Sequence, residues 1–187
     1  MHNSQAWYSH PKILIAALNG PAVGISAAFV SHADFVFAAP HAWLLVPFTS
    51  LGLNAEGAAS KALVEKLGTN RASEALLMSR KILMPALLET AFVTQVIEGC
   101  GGDKETGKGI DTDKFISKVL EQVEDKLGPH LVKEALLAIK AQIKAPIMAE
   151  LERANHREVF GGLDVFTAGI PQREFEKIAK GEKRHKL

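Results

Sequence analysis

The sequence predicts an α/β protein, with a parallel-stranded core over residues 1–98 and a helical region over residues 112–171. Three observations carry that expectation. Lys12–Leu18 and Phe35–Ala39 are short apolar runs without polar alternation, as expected of strands covered on both faces. Small residues lie between them, and a strand–helix–strand order of this kind makes a right-handed crossover in a parallel sheet. From Glu56 onward, apolar residues recur at helical spacing. The chain has 187 residues, 47% hydrophobic and 23% charged, which suits one domain with a sizeable core.

In chain order, Ile13, Leu14 and Ile15 followed by two alanines make the first strand, and Asn19-Gly20 turns the chain. Pro21 is expected as the first residue of a helix over Ala22–Ala28, where a missing N–H does no harm. Phe35–Ala39 and Trp43–Val46 supply two further strands. Ala58–Leu67 and Arg71–Ser79 read as helices separated by Gly68-Thr69-Asn70, and Pro85–Thr90 as another helix before Val93–Ile97. Gly99–Asp111 is glycine-rich and charged, and is expected to be a flexible loop. Helices follow over Thr112–Leu127, His130–Ile143 and Pro146–Phe160. Gly128-Pro129 and Ala145-Pro146 act as their stops and starts, and Gly161-Gly162 closes the last. Residues 172–187 read as a polar, mobile tail.

Composition excludes several function classes. Lys plus Arg is 22 and Asp plus Glu is 21, so no global field favours nucleic acid or an anionic membrane. The single cysteine, Cys100, excludes an internal disulfide and lacks an activating base nearby in sequence. Ile13–Val30 is long and apolar enough to suggest a membrane span, but Asn19-Gly20-Pro21 breaks it at its centre. No charged stretch runs into an apolar one at the start, so no secretory signal is expected. Gly102–Lys108 fits the opening of a phosphate-binding loop, yet Gly109 stands where Ser or Thr should hold magnesium, which favours an ordinary loop.

Ile15-Ala16-Ala17-Leu18-Asn19-Gly20-Pro21-Ala22-Val23-Gly24 resembles the crotonase-superfamily segment in which a strand ends in an Asn-Gly turn and a glycine opens the next helix. Asp34, Pro47–Leu53, Ala75–Ile82 and Ala86–Val96 resemble further family segments, in the same order. The resemblance is specific over Pro11–Ile97 and looser beyond. It implies a ββα spiral core, incomplete at its N-terminus, followed by C-terminal helices that build trimers, sometimes paired into hexamers. It also implies an acyl-CoA thioester as substrate. Coenzyme A is then part of the substrate, and no separate cofactor or metal is implied.

Crotonases stabilise an enolate at the thioester oxygen, and the unpaired N–H groups of a helix's first turn suit that task. The resemblance assigns one oxyanion-hole donor to the backbone N–H of Ile25, with Gly24 allowing close approach and Ala22, Phe48 and Leu53 near the substrate. Gly24 has a plainer alternative, tight packing of helix on strand. The carboxylates that hydratases use fall at positions held here by Ala28 and Phe48, so hydration is not expected. Phe48 and Phe29 could equally pack a core. Leu51-Gly52-Leu53-Asn54-Ala55-Glu56-Gly57 instead resembles the loop of peroxisomal Δ3,Δ2-enoyl-CoA isomerases, in which a later glutamate is the base. Apolar neighbours would raise the pKa of Glu56 and increase its basicity. By composition alone it would be a solvated carboxylate at a helix start. Dienoyl-CoA isomerases are similar but use further acidic residues, not found here at the matching places.

His185-Lys186-Leu187 resembles the peroxisomal C-terminal address, implying an import receptor as a partner. Only Met1–His10 precede the glycine-turn strand. The family segment carrying further strands, much of the CoA surface and a second oxyanion donor is therefore expected to be absent. Two functions follow: an enoyl-CoA isomerase with Glu56 as its base, or a non-catalytic crotonase-like subunit acting in assembly.

Overall fold

The computed structural model describes residues 2–184; the His185-Lys186-Leu187 address lies outside the described residues. Helix α1 (His2–Tyr8) leads into β1 (Ile15–Leu18). The Asn19-Gly20 turn then delivers β2 (Ala22–Val23) and helix α2 (Ile25–Val30). Here the structure departs from the sequence reading. Ala22 and Val23 are extended because they pair in parallel with Leu44 and Leu45 of β4 (Trp43–Leu45). Pro21 thus precedes a strand, and the helix opens only after Gly24.

Strand β3 (Phe35–Ala38) pairs with β1 in parallel, Ile15 opposite Phe35 through Leu18 opposite Ala38. It also pairs in parallel with β6 (Gln95–Val96), giving the order β1-β3-β6. A second sheet has the order β2-β4-β5, in which β5 (Ile82–Leu83) is antiparallel to β4. The expected parallel crossover is present, but the third strand joins a different sheet from the first two. Val36, Ala38, Leu44 and Val46 meet Ala27, Ala28, Leu63 and Leu87 in the main core.

Helix α3 (Ala59–Leu77) joins the two expected segments across a kink at Gly68, whose φ of 72° and ψ of 161° leave helical space. Pro85 sits in the first turn of α4 (Met84–Glu89). Helix α5 (Thr112–Leu127) has the expected bounds, and the Asp111 carboxylate caps it by accepting the Lys114 N–H at 2.9 Å. Between Gly99 and Asp111 the chain forms turns and one bridge, Gly101 to Ile110. Cys100 is buried there against Phe37, Ile97 and Phe115, rather than lying in a polar stretch.

The largest departure is α6 (Lys133–Thr167), a single helix of 35 residues running through Pro146, Gly161 and Gly162. Proline in a helix interior costs about 3 kcal/mol, so tertiary contacts on both sides must offset it. Lys140 and Lys144 anchor the N-terminal half to Asp34, while Leu151, Asn155 and Glu158 are buried in the C-terminal half. Gly161 is needed for close approach: a Cβ there would lie 2.7 Å from Asn54 Nδ2. The expected tail is also partly structured. Helix α7 (Ile170–Ala179) packs on the turn Thr49–Leu51, and Lys183 Nζ donates to the Ser50 carbonyl at 2.6 Å. Among the described residues, no helix is long and apolar enough to cross a membrane.

Candidate active site

The first side of the site is the Gly24–Ile25 turn. Gly24 adopts φ 63° and ψ −131°, a conformation essentially reserved for glycine. Its N–H donates to the Leu45 carbonyl at 2.8 Å, and its carbonyl accepts the Ala28 N–H at 3.2 Å. The Ile25 N–H therefore belongs to the free first turn of α2. A Cβ built on Gly24 meets nothing within 4 Å. Open space here argues against tight helix packing as the reason for glycine; the positive φ is what requires it.

The second side is the loop bearing Glu56. Gly57 lies directly on α2: a Cβ there would stand 3.0 Å from Ile25 Cδ1 and 3.1 Å from Ala28 Cβ. Glu56 and Ile25 are thus brought to neighbouring places by contact between the loop and the helix. Two elements fix the loop. On α2, His32 Nε2–H donates to the Gly57 carbonyl at 2.7 Å. From α6, the Glu158 carboxylate accepts the Ala58 N–H at 2.6 Å, the Ser60 N–H at 2.8 Å and the Ser60 hydroxyl at 2.6 Å. Asn54 Nδ2 donates to the Glu158 carbonyl at 2.9 Å.

Glu56 itself is exposed. The apolar sequence neighbours expected to surround it do not cover it, because Leu53 and Ala55 pack against the core. Its pKa is nevertheless raised above the ordinary carboxylate value, first by partial burial of the carboxyl group itself and then by repulsion from Glu158. Burial also raises Glu158, against the pull of the N–H and hydroxyl donors it accepts.

His32 is buried, with 2% of its surface exposed, and burial lowers its pKa to about 4. It is therefore neutral at pH 7, with the proton on Nε2 facing the Gly57 carbonyl. Its ring also meets Tyr8 edge-on, with centroids 5.7 Å apart. The folded-state pKa lies below the unfolded value near 6.5, so the neutral form is the one the fold stabilises. That stabilisation is complete above pH 6.5 and is lost as pH falls toward 4, on the order of 3 kcal/mol in all. Urea midpoints measured from pH 7 to pH 4.5 should fall accordingly, and the fall should shrink in His32→Gln. Equal slopes in the two proteins would remove His32 from the account.

The other expected site residues divide. Ala22 and Phe48 are 6% and 2% exposed and belong to the main core, so their side chains pack the fold. Leu53 is partly buried against the same core, its N–H donating to the Phe48 carbonyl at 2.8 Å. Ala28, at the other hydratase position, is fully buried.

A profile of the family described as Enoyl-CoA hydratase/isomerase matches residues 1–99, more than half of the chain. The chain belongs to the enoyl-CoA hydratase/isomerase family. Within it, the chain is 54% identical to a Delta(3,5)-Delta(2,4)-dienoyl-CoA isomerase of Pyricularia oryzae, over 98% of this chain and 64% of the relative. It is 31% identical to a 3,2-trans-enoyl-CoA isomerase of Saccharomyces cerevisiae, over 98% of this chain and 63% of that protein. The chain therefore spans a little under two thirds of the length of these curated relatives. The fold also matches the crystal structure of an enoyl-CoA hydratase/isomerase from Pseudoalteromonas atlantica T6c. The TM-score is 0.83 at 22% identity, over 98% of this chain and 68% of that one, a likeness of fold alone.

The crotonase resemblance and the α/β fold with its C-terminal helices are thus borne out. Family membership brings no list of roles with it, and sequence reasoning missed Glu158, His32 and Asn54. Glu158 is about one hundred residues from the loop it holds, and no local pattern signals such a contact.

Proposed function

We propose that this chain carries the base of an enoyl-CoA isomerase, which moves a 3-enoyl-CoA double bond to the trans-2 position in fatty-acid β-oxidation. As a carboxylate, Glu56 takes a proton from C2 of the acyl chain. The electron pair passes to the thioester carbonyl, whose oxygen becomes an enolate anion facing the Ile25 N–H. Protonated Glu56 then returns the proton at C4, leaving the double bond between C2 and C3. The observation that carries this reading is the seating of Gly57 on Ile25 and Ala28, which puts the backbone of the Glu56 loop against the first turn of α2. The raised pKa of Glu56 supports its use as a base. Shielding from water falls to the bound acyl chain or a neighbouring copy, since Glu56 is exposed here. Purified protein with 3-enoyl-CoA, followed by absorbance of the conjugated product, tests the reading. Product formation that Glu56→Gln leaves unchanged would sink it.

A second isomerase reading is favoured by the name of the 54% identical relative. Moving double bonds from 3,5 to 2,4 takes a proton from C2 and returns one at C6, further along the chain. That task asks for a second acid, and Glu158, the carboxylate that grips the loop, is occupied by its three donors. Supplying 3-enoyl-CoA and 3,5-dienoyl-CoA side by side separates the two reactions by their products.

The non-catalytic assembly reading rests on apolar side chains left on the C-terminal helices. Leu120, Ile143, Phe160 and Leu163 are each more than half exposed. Burying them against other copies would build the homotrimer or homohexamer implied by the family. Light scattering reads that state, and trimers that convert neither substrate would favour assembly over catalysis. The peroxisomal placement and its import receptor rest on His185-Lys186-Leu187. A fluorescent fusion that enters peroxisomes equally well without those residues would end that part.

The role of Gly24 has its own test. Gly24→Ala forces a side chain into a conformation costing roughly 1–3 kcal/mol, and nothing nearby clashes with the added methyl group. The expected result is a folded protein whose kcat falls about 10²–10³-fold, as when one oxyanion donor is lost. Wild-type kcat in a folded Gly24→Ala protein would show that the turn does not hold the donor.

A further inference from the structure

Glu158 is a carboxylate buried to 5% exposure on α6, and no lysine or arginine pairs with it among the described residues. Three donors from the start of α3 converge on it, those of Ala58 and Ser60. Its own backbone carbonyl accepts from Asn54, on the other side of Glu56 in sequence. The Glu56 loop is therefore gripped before and after the glutamate by one residue of a distant helix. Glu56 has no hydrogen bond to its carboxylate among the described residues, so its direction depends on the backbone that carries it.

We infer that Glu158 is a positioning residue for the base, holding residues 54–60 so that the Glu56 carboxylate faces the Ile25 amide. This inference rests on the reading of Glu56 as the base. A carboxylate is required for the grip. Its two oxygens accept all three donors at once, whereas an amide in its place would turn an NH₂ group against a backbone N–H. Ala58 adds to the demand, because it sits at φ 59°, a strained backbone that needs outside support. The same carboxylate is the like charge that helps raise Glu56. The other titratable groups around the loop are His32 on α2, neutral at pH 7, and Lys61 on α3, paired with Glu65 and Glu150. Arg153 and Arg157 share a shallow surface cleft with Ser60.

The test compares wild type, Glu158→Gln, Ser60→Ala and Glu56→Gln, each with carbon-13 carboxyl labelling of glutamate. In Glu158→Gln, kcat should fall roughly 10²-fold, as for a base displaced by about an ångström, with KM nearly unchanged. The Glu56 resonance should titrate at lower pH than in wild type, and the Ala58 and Ser60 amides should exchange faster. Ser60→Ala keeps the charge and removes only one donor, so it tests the grip even where Glu158→Gln does not fold. It should exchange faster at Ala58 and turn over more slowly, with the Glu56 titration barely moved. Unchanged kcat, titration and exchange in a folded Glu158→Gln protein would overturn the inference. With Glu158→Gln unfolded, wild-type exchange and turnover in Ser60→Ala would overturn it too. The titration and exchange readouts do not need turnover. Full activity in Glu56→Gln would reject the base while leaving the grip measurable.

Discussion

Glu56→Gln is expected to fold like wild type and to lose about 10²–10⁴-fold in kcat, the usual contribution of a positioned proton-transfer group. The fold should tolerate the change because Glu56 is exposed and its carboxylate holds no other residue in place. Its loop is fixed through backbone groups of Gly57 and Ala58, which glutamine leaves intact. The amide is close in shape to the carboxylate but has no lone pair basic enough to take a proton from C2. Loss of turnover with an unchanged urea midpoint therefore isolates chemistry from folding. The pH profile adds a sign. The raised pKa keeps Glu56 protonated to higher pH than an ordinary carboxylate, so kcat/KM should climb with pH through a value above that range. Removing the neighbouring negative charge should move the climb toward acid.

Asp34→Ala is expected to produce the largest loss of stability, about 3 kcal/mol and roughly 10 °C in Tm. Asp34 Oδ2 accepts the Leu14 N–H at 2.7 Å and the Lys140 ammonium at 2.6 Å, while Oδ1 lies 3.8 Å from Lys144. The side chains of Asp34 and Lys140 are only 12% and 10% exposed. Removing the carboxylate takes the shared acceptor from Lys140 and the Leu14 amide, and the nearby negative charge from Lys144. Burial already lowers the pKa of Lys144, and Asp34 is what opposes that. A cleft of about 580 Å³ lined by Ile13, Ile139 and Ile143 opens beside the cluster, and Lys140 and Lys144 keep the carbonyls of Lys12 and His32 as acceptors. That places the loss near the lower end of the 3–5 kcal/mol typical of broken buried pairs. Asp34→Asn keeps an acceptor for Leu14 and should cost less. Chemical denaturation of the three proteins checks the order, and an Asp34→Ala protein as stable as wild type would contradict it.

Much of the fold was legible because it is written locally. Lys12–Leu18, Phe35–Ala39 and Thr112–Leu127 carry their pattern in unbroken apolar periodicity, and each became an element of the expected kind. Strand β2 was not legible, since two residues show no period and are extended only by pairing with β4. Helix α6 was read as two because Pro146 and Gly161-Gly162 are breakers by local rule. Contacts distant in sequence overrode them: the Lys140–Asp34 pair before the proline, and the fit of Asn54 against Gly161 after it. The candidate site shows the same division. Glu56 and Gly24 could be named from their register in a resembling loop and turn. Glu158 and His32 could not, because each acts on that loop from an element whose own sequence is unremarkable.

The most direct test is the fate of hydrogen at C2. A 3-enoyl-CoA deuterated at C2 is given to wild type and to Glu56→Gln, and the product is analysed by mass spectrometry and NMR. The account predicts 2-enoyl-CoA from wild type with a primary isotope effect and some deuterium carried to C4, and no comparable product from the variant. Equal rates of product formation in the two proteins would contradict it.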